Sequence, residues 1–370
     1  MKTIILGDLH LGIKDSNSNF INFQNNFFEN VLIKYLEEQK INPKEYQAVL
    51  LGDVFHNRRI VNIKTVAQIY KLFSNLEKYF SKIFVIVGNH DLYFRNSYDL
   101  SASKLILKEI NSNVIQFEEY LFDESTNSLY LNWKNTKVEY LQVFNSLDES
   151  IRNKIKYIFG HFELFNYKFN SFTHNEDTEC LSEKDIISHF PNLIQVYSGH
   201  YHNPQIKNKT KFVGVPYQLT WSEYGEQLGF YELNFKTGKE KFIENPFQIF
   251  NFIEFQTSQE IVNFKLEEMP FKRIFKILFK DEKLKDLIET FKDSLNEKGH
   301  DVVIINTFNQ MIASYSTEND DLNRNLSIEK LLHKYIFEEI EMKNKELFFN
   351  LFMKFYEKVK SEMGSNIEII

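Results

Sequence analysis

Two features of the first two hundred residues predict an α/β fold. Short apolar runs with β-branched content recur and read as strands, and stretches with helical spacing lie between them. A third feature lies at the end of each run, which leads through a Gly into an Asp, Asn or His. The junctions are TIILGD (Gly7-Asp8), AVLLGD (Gly52-Asp53), VIVGNH (Gly88-Asn89), YIFGH (Gly160-His161) and VYSGH (Gly199-His200). A single Gly-Asp is an ordinary turn signal. Five of the chain's twelve glycines in this one context point further. Groups at the carboxyl ends of neighbouring strands converge on one rim of an α/β sheet, where ligand sites form. Gly lets the backbone turn sharply there and approach a ligand closely.

Between residues 17 and 40, Phe20, Phe27, Val31 and Tyr35 are spaced for a helix that Pro43 ends. A second helix is predicted from GDVFH to about Phe80, and both would cover the sheet. The segment FVGVPYQLTWSEYGEQLGFYEL, after the last junction, reads as a hairpin pair closing a second sheet. Beyond Asn245-Pro246 the junctions stop. Residues 271–279 alternate like a strand, Leu284, Leu287, Ile288, Phe291 and Leu295 form one helical face, and VVIINTF reads as another strand. The polar stretch STENDDLNRN reads as a linker. Two amphipathic helices should follow, one carrying Leu331, Leu332 and Tyr335, the other Leu351, Phe352 and Phe355. So much apolar surface on a short helix pair is expected to fill a partner's groove.

Composition narrows the function. Forty-four basic against fifty-one acidic residues leave a net charge of −7, which argues against coating nucleic acid by bulk charge. A local site with bound cations remains open. The single cysteine, Cys180, cannot staple the chain, so a reducing cytoplasm is expected. No apolar run reaches the length of a membrane span, and the start, MKTIILGDLH, does not read as a cleavable signal.

The junctions supply the candidate metal ligands Asp8, His10, Asp53, Asn89, His161, His200 and His202. Seven oxygen and imidazole groups suit a pair of divalent ions such as Mn²⁺, and no thiolate demands a softer metal. Asp8-x-His10 and His200-x-His202 have a geometric logic: on an extended segment, residues i and i+2 point to the same side.

GDLHLG, GDVFHNRR, GNHD, GHFEL and GHYH, in this order, resemble the five motifs of calcineurin-like metallophosphoesterases. Within that superfamily the chain is similar to the SbcD-type nucleases, including recombination-nuclease subunits of T-even-like phages. The resemblance implies a two-sheet α/β sandwich flanked by helices, with a small α/β capping domain and a C-terminal helical pair. It divides the chain into a nuclease domain (1–245), a capping domain (246–315), a linker (316–326) and a helix pair (327–363). One ion would be held by Asp8, His10 and His202, the other by Asn89, His161 and His200, with Asp53 bridging. His90 would be the catalytic residue that orients the phosphate and helps protonate the leaving oxygen. Asp91 would support the local turn, and His56 matches a His of SbcD-type nucleases near the active site. Arg58 and Arg59 are candidates for flanking phosphates, with Lys64, Arg95, Lys207, Lys209, Lys211, Tyr93 and Tyr98 as further candidates for DNA.

By the same resemblance the protein would be the nuclease subunit of an SbcCD-like complex. It would hydrolyse DNA 3′→5′ from duplex ends and cut single strands internally, in recombination, repair and replication. Its partner would be an SMC-like (SbcC-type) ATPase, with two copies of each chain and no membrane. Other phosphodiesterases, protein phosphatases and inactive scaffolds share the motifs. GDVFHNRR, however, lacks the Asp-Arg-Gly ending of protein serine/threonine phosphatases, and GNHD replaces their GNHE. A scaffold that had lost its chemistry would lack ligands or His90, and here all are present.

Overall fold

The computed structural model describes residues 1–94, 100–168, 175, 177, 179–306 and the single positions 345, 349 and 353. The chain divides into Met1–Ile305 and Asn306–Ile370, and nearly all described residues belong to the first part. The predicted linker and helix pair, with Leu331, Leu332, Tyr335, Leu351, Phe352 and Phe355, lie outside the described residues, as do Arg95 and Tyr98. Positions 345, 349 and 353 are helical.

All five apolar runs are strands. β1 (Lys2–Leu6), β2 (Tyr46–Leu50), β3 (Lys82–Val85) and β4 (Val114–Ile115) lie parallel and side by side. β5 (Tyr120–Asp123), β6 (Ser128–Leu131), β7 (Tyr157–Gly160), β8 (Gln195–Ser198), β9 (Gln205–Lys207) and β10 (Thr210–Phe212) form a second six-stranded sheet in the order β5-β6-β7-β8-β10-β9. β11 (Gly229–Asn234) and β12 (Glu240–Glu244) extend the first sheet, antiparallel, to β12-β11-β1-β2-β3-β4. The expected hairpin pair of the second sheet is therefore wrong. β10 does lie in that sheet, but β11 crosses to pair with β1, because Gly229–Asn234 is buried against the helices and the facing sheet alike.

The strands read as continuous apolar runs because both faces are covered. Ile4 and Leu6 point to the outer helices, where Phe23, Phe27, Leu32, Leu36, Ile69 and Phe73 pack on them; Ile5, between them in sequence, faces the other sheet. Between the sheets the rings of Phe84, Tyr130, Phe159 and Tyr197 form a stacked ladder, neighbouring centroids 4.0, 5.2 and 5.3 Å apart. The predicted first helix runs Ser18–Phe27 and Lys34–Glu38, with one wider π turn over Phe28–Ile33. The second starts only at Ile63, where the Asn62 side chain accepts from Lys64 N, and ends at Leu76. Residues 54–62, including Arg58 and Arg59, form a loop instead.

β13 (Phe250–Phe255), β14 (Ile274–Phe279) and β15 (Asp301–Asn306) make a separate three-stranded sheet covered by the helix Lys285–Glu297. β14 and β15 match the predicted strands, and Leu284, Ile288 and Leu295 are the buried part of the predicted helical face. β13 is an addition: it pairs in parallel with β14, and its Phe250 and Phe255 are buried. Among the described residues no helix is long and apolar enough to cross a membrane.

Candidate metal centre

Register brings the junctions together. Leu6 pairs with Leu50 and Leu50 with Val85 in the first sheet, and Gly160 pairs with Ser198 in the second. The residues just beyond these pairs therefore emerge on one rim. The loops are zipped to each other as well: His10 N donates to Asp53 O (2.9 Å) and Leu11 N to Val54 O (2.9 Å).

The seven candidate ligands meet there in two groups. His10 Nε2 lies 3.1 Å from His202 Nε2, and Asp8 joins them within one metal-sized space. His161 Nε2 lies 3.0 Å from Asn89 Oδ1 and 3.3 Å from His200 Nδ1, which is itself 3.2 Å from Asn89 Oδ1. Asp53 stands between the groups, its Oδ2 3.7 Å from His10 Nε2 and 3.4 Å from His161 Nε2. Asp8 also accepts the backbone N–H of His200 on both oxygens, at 3.1 and 3.0 Å.

The extended-segment argument for the i, i+2 pairs does not hold. His10 and His200 have positive φ, 42° and 84°, as does Asp53 at 48°, so these turns are left-handed rather than extended. Asp8 and His10 do face one space, but His200 and His202 belong to different groups. The glycines matter for a second reason besides turning. A Cβ at Gly52 would fall on the His161 ring, one at Gly88 on the Asp53 carboxylate, and one at Gly199 on the Asp8 carboxylate. At these three junctions the Gly leaves room for a candidate ligand delivered by another junction, whereas Gly7 lies against the Gly214 backbone and Gly160 against the Phe162 ring.

The donor set fits divalent metal. His161 Nδ1 donates to the Leu51 carbonyl (2.8 Å), so the neutral ring presents an Nε2 lone pair. That lone pair faces Asn89 Oδ1 and Asp53 Oδ2, both acceptors. Acceptors converging on acceptors require a cation among them. In the metal-free chain a proton serves: burial would lower the His161 pKa, but the Asp53 and Asp8 carboxylates outweigh it and hold it at about 9. Burial keeps His10 well below its ordinary value and lowers His200 to about 3 and His56 to about 4, so these rings are neutral and ready to ligate. Burial alone would raise Asp53, yet the protonated His161 beside it holds it well below the carboxylate range. No cysteine belongs to the ligand groups of the described residues.

His90 stands at the edge of this cluster. Its backbone N–H donates to Asp53 Oδ1 (2.8 Å) and its Nδ1 to the His56 carbonyl (2.8 Å), which leaves Nε2 to exchange a proton. Its ring meets His10 edge-on at 5.0 Å and stacks on His56 at 5.8 Å. The His56 Nδ1 lies 3.4 Å from His10 Nδ1. Asp91 is wholly buried and closes the junction turn, accepting from Phe55 N (3.1 Å) and Gly88 N (3.0 Å). Two further groups were not evident from sequence spacing. The buried Glu223 accepts from His202 Nδ1 at 3.0 Å, and the Tyr217 hydroxyl donates to Leu9 O at 2.6 Å. The Thr220-x-x-Glu223 capping pattern marks a turn in the sequence but gives no hint that its carboxylate reaches a ligand.

Residues 1–215 match the family model of the calcineurin-like phosphoesterases. This chain belongs to that family. The calcineurin-like phosphoesterase fold and the clustered His and Asp side chains agree in calling for divalent metal ions. The chain is also 24% identical over 249 residues to Exonuclease subunit 1 of Enterobacteria phage T4, an alignment covering 66% of this chain and 68% of that protein.

The other DNA candidates are placed unevenly around the calcineurin-like site. Arg58 is half-buried and Arg59 exposed on the 54–62 loop that leaves Asp53, and Tyr93 is exposed after the GNHD turn. Lys64 is tied to Ser18 Oγ (3.1 Å). The Lys207, Lys209 and Lys211 series belongs elsewhere: it lies along β9 and β10, where Lys209 O accepts from Val196 N (2.7 Å) near the start of β8, away from His200. Lys207 bonds to Asn166 O, Lys209 to Leu193 O, and the buried Lys211 pairs with Glu240.

Proposed function

We propose that this chain is a metal-dependent DNA nuclease, the nuclease subunit of an SbcCD-like complex. Asp8, His10 and His202 would hold one divalent ion, Asn89, His161 and His200 a second, and Asp53 both, with Mn²⁺ as the expected metal. The observation that carries this reading is the placement of Asp53 Oδ2 between two separate donor groups. Such an ion pair supplies an activated water at neutral pH and neutralises charge gathering on a phosphoryl group.

The chain's own residues do the rest. His90, fixed by its Nδ1 bond to His56 O, holds a proton at Nε2 for the leaving oxygen. Asp91 holds the 88–91 turn and with it the position of His90. His56 packs against the rings of His10 and His90 and restrains both. Arg58 and Arg59 are positioned on the adjoining loop to meet phosphates beside the scissile bond. The similarity to a phage exonuclease subunit supports a nuclease and a larger complex as the working form. In that complex, residues 246–315 would guide DNA and the 327–363 segment, through Leu331, Leu332, Tyr335, Leu351, Phe352 and Phe355, would bind the SMC-like ATPase as a heterotetramer in the cytoplasm.

The test is hydrolysis by the full chain with Mn²⁺ on a linear DNA duplex and on a phosphopeptide. Nucleotide release from the duplex with an intact phosphopeptide is expected; the reverse would refute the nuclease reading. Deleting residues 326–370 should abolish ATPase binding and leave metal-dependent cutting of single strands, and loss of both would refute the modular assignment.

A further inference from the structure

The turn around Trp221–Glu223 faces two ways. On its inner side the Glu223 carboxylate, with no exposed surface, accepts from His202 Nδ1 (3.0 Å), Ser222 Oγ (2.9 Å), Leu219 N (3.2 Å) and Thr220 N (2.5 Å). A carboxylate taken wholly out of water needs charge-assisted partners. Among the described residues, His202 is the one ionisable group bonded to it. Because a carboxylate only accepts, the bond also fixes the tautomer: Nδ1 carries the hydrogen, and Nε2 presents a lone pair toward His10 and Asp8.

On its outer side the same turn is held by the three-stranded sheet. The Trp221 ring packs on Phe250 of β13 (centroids 4.8 Å apart), and the Lys276 ammonium of β14 stands 4.1 Å from the Trp221 ring centre. The Tyr224 hydroxyl donates to Phe252 O (3.5 Å), and the Gln218 Oε1 accepts from both Ile249 N (3.0 Å) and Phe250 N (2.9 Å). One short segment therefore joins a peripheral sheet to a ligand of the metal centre.

We infer that Glu223 is a positioning residue for His202, and that the small sheet sets its place through Trp221. The inference rests on the metal-centre reading above and adds a dependence that reading does not contain: one ion, and not the other, is sensitive to how the small sheet docks. Among the described residues the His161 ring has no such link to the small sheet: its Nδ1 is bonded to the Leu51 carbonyl at the sheet edge.

The experiment is calorimetric titration of Mn²⁺ alone into the metal-stripped full chain, with His202→Ala used to identify which of two binding events belongs to the His202 group. Glu223→Gln keeps an acceptor oxygen for the turn and removes the charge. It should weaken that same event by about tenfold or more, in the range found for outer partners of metal-bound His, and leave the other event unchanged. Trp221→Ala, at a half-buried surface position, should weaken the same event less, by about threefold on the same scale. If Glu223→Gln does not fold, the Trp221→Ala titration carries the test alone. Unchanged affinities in a folded Glu223→Gln chain, an unchanged Trp221→Ala chain, or equal weakening of both events would each overturn the inference. A wild-type chain that binds no pair of ions would instead overturn the metal-centre reading itself.

Discussion

His161 and His202 occupy corresponding places on either side of Asp53, yet the protein holds them by different means. His161 is fully buried, its Nδ1 bonded to a backbone carbonyl of the sheet edge and its ring lodged where Gly52 has no side chain. His202 is partly exposed, and its Nδ1 is bonded to a carboxylate carried by a turn from outside the sheet. One half of the centre is thus built into the core strands, and the other is assembled on them by a peripheral segment. The core half should be damaged chiefly by changes that disturb folding, the peripheral half by changes that leave the fold intact.

The largest effect is expected where the halves meet. Asp53→Ala should remove both ions by elemental analysis and cut hydrolysis by at least about a thousandfold, the upper end for losing one preorganised electrostatic group. Retention of either ion at wild-type affinity would show that the halves do not share it. His90→Ala comes next: hydrolysis should fall by about a hundredfold or more, the range for a general acid, while both ions stay bound. Activity surviving that change would remove His90 from its assigned role.

Gly52→Ala tests the core half. The new Cβ falls on the His161 ring and the φ of 105° disfavours any side chain, so a loss of about 3 kcal/mol in denaturant unfolding is expected, typical of forced overpacking with backbone strain. Gly225→Ala is the control, at φ 84° with nothing within 4 Å of the new atom; strain alone should cost about 1 kcal/mol. Similar losses at the two positions would mean that the glycine contact with His161 is unimportant.

A smaller effect separates the halves by pH. In the metal-free chain His161 titrates at about 9, above its ordinary value of 6.5, because the Asp53 and Asp8 carboxylates outweigh its burial. A raised folded-state pKa contributes stability that is complete below about 6.5 and lost as pH rises through about 9. Burial and the Asp53 charge raise Asp91 to about 7, so its contribution is lost between its ordinary value of 3.8 and about 7 and adds little above that range. The melting temperature of the stripped protein should therefore fall from pH 7 to pH 9, and His161→Gln should flatten that fall. A melting temperature that rises over this range would contradict the assignment of the proton to His161.

Legibility in the sequence divides along the same line. The clustering of the candidate ligands that end buried strands was legible, because a strand covered on both faces is a continuous apolar run and the Gly and the polar residue after it stand out. Glu223 was not, since a carboxylate in a capping turn looks the same whether it faces solvent or a histidine. The left-handed turns at His10 and His200 were hidden for a related reason: positive φ at a His has no spacing signature, so the extended-segment rationale misread how those ligands are presented. β13 was missed as well. Its Phe250 and Phe255 are buried at opposite ends of a strand whose middle residues are partly exposed, which leaves little regular alternation to read.

The most direct measurement is the anomalous difference density of a crystal of the full chain soaked in Mn²⁺. Two peaks are expected, one against Asp8, His10 and His202 and one against Asn89, His161 and His200, with the Asp53 carboxylate reaching both. A single peak, or a pair that leaves Asp53 untouched, would contradict the twin-cation centre.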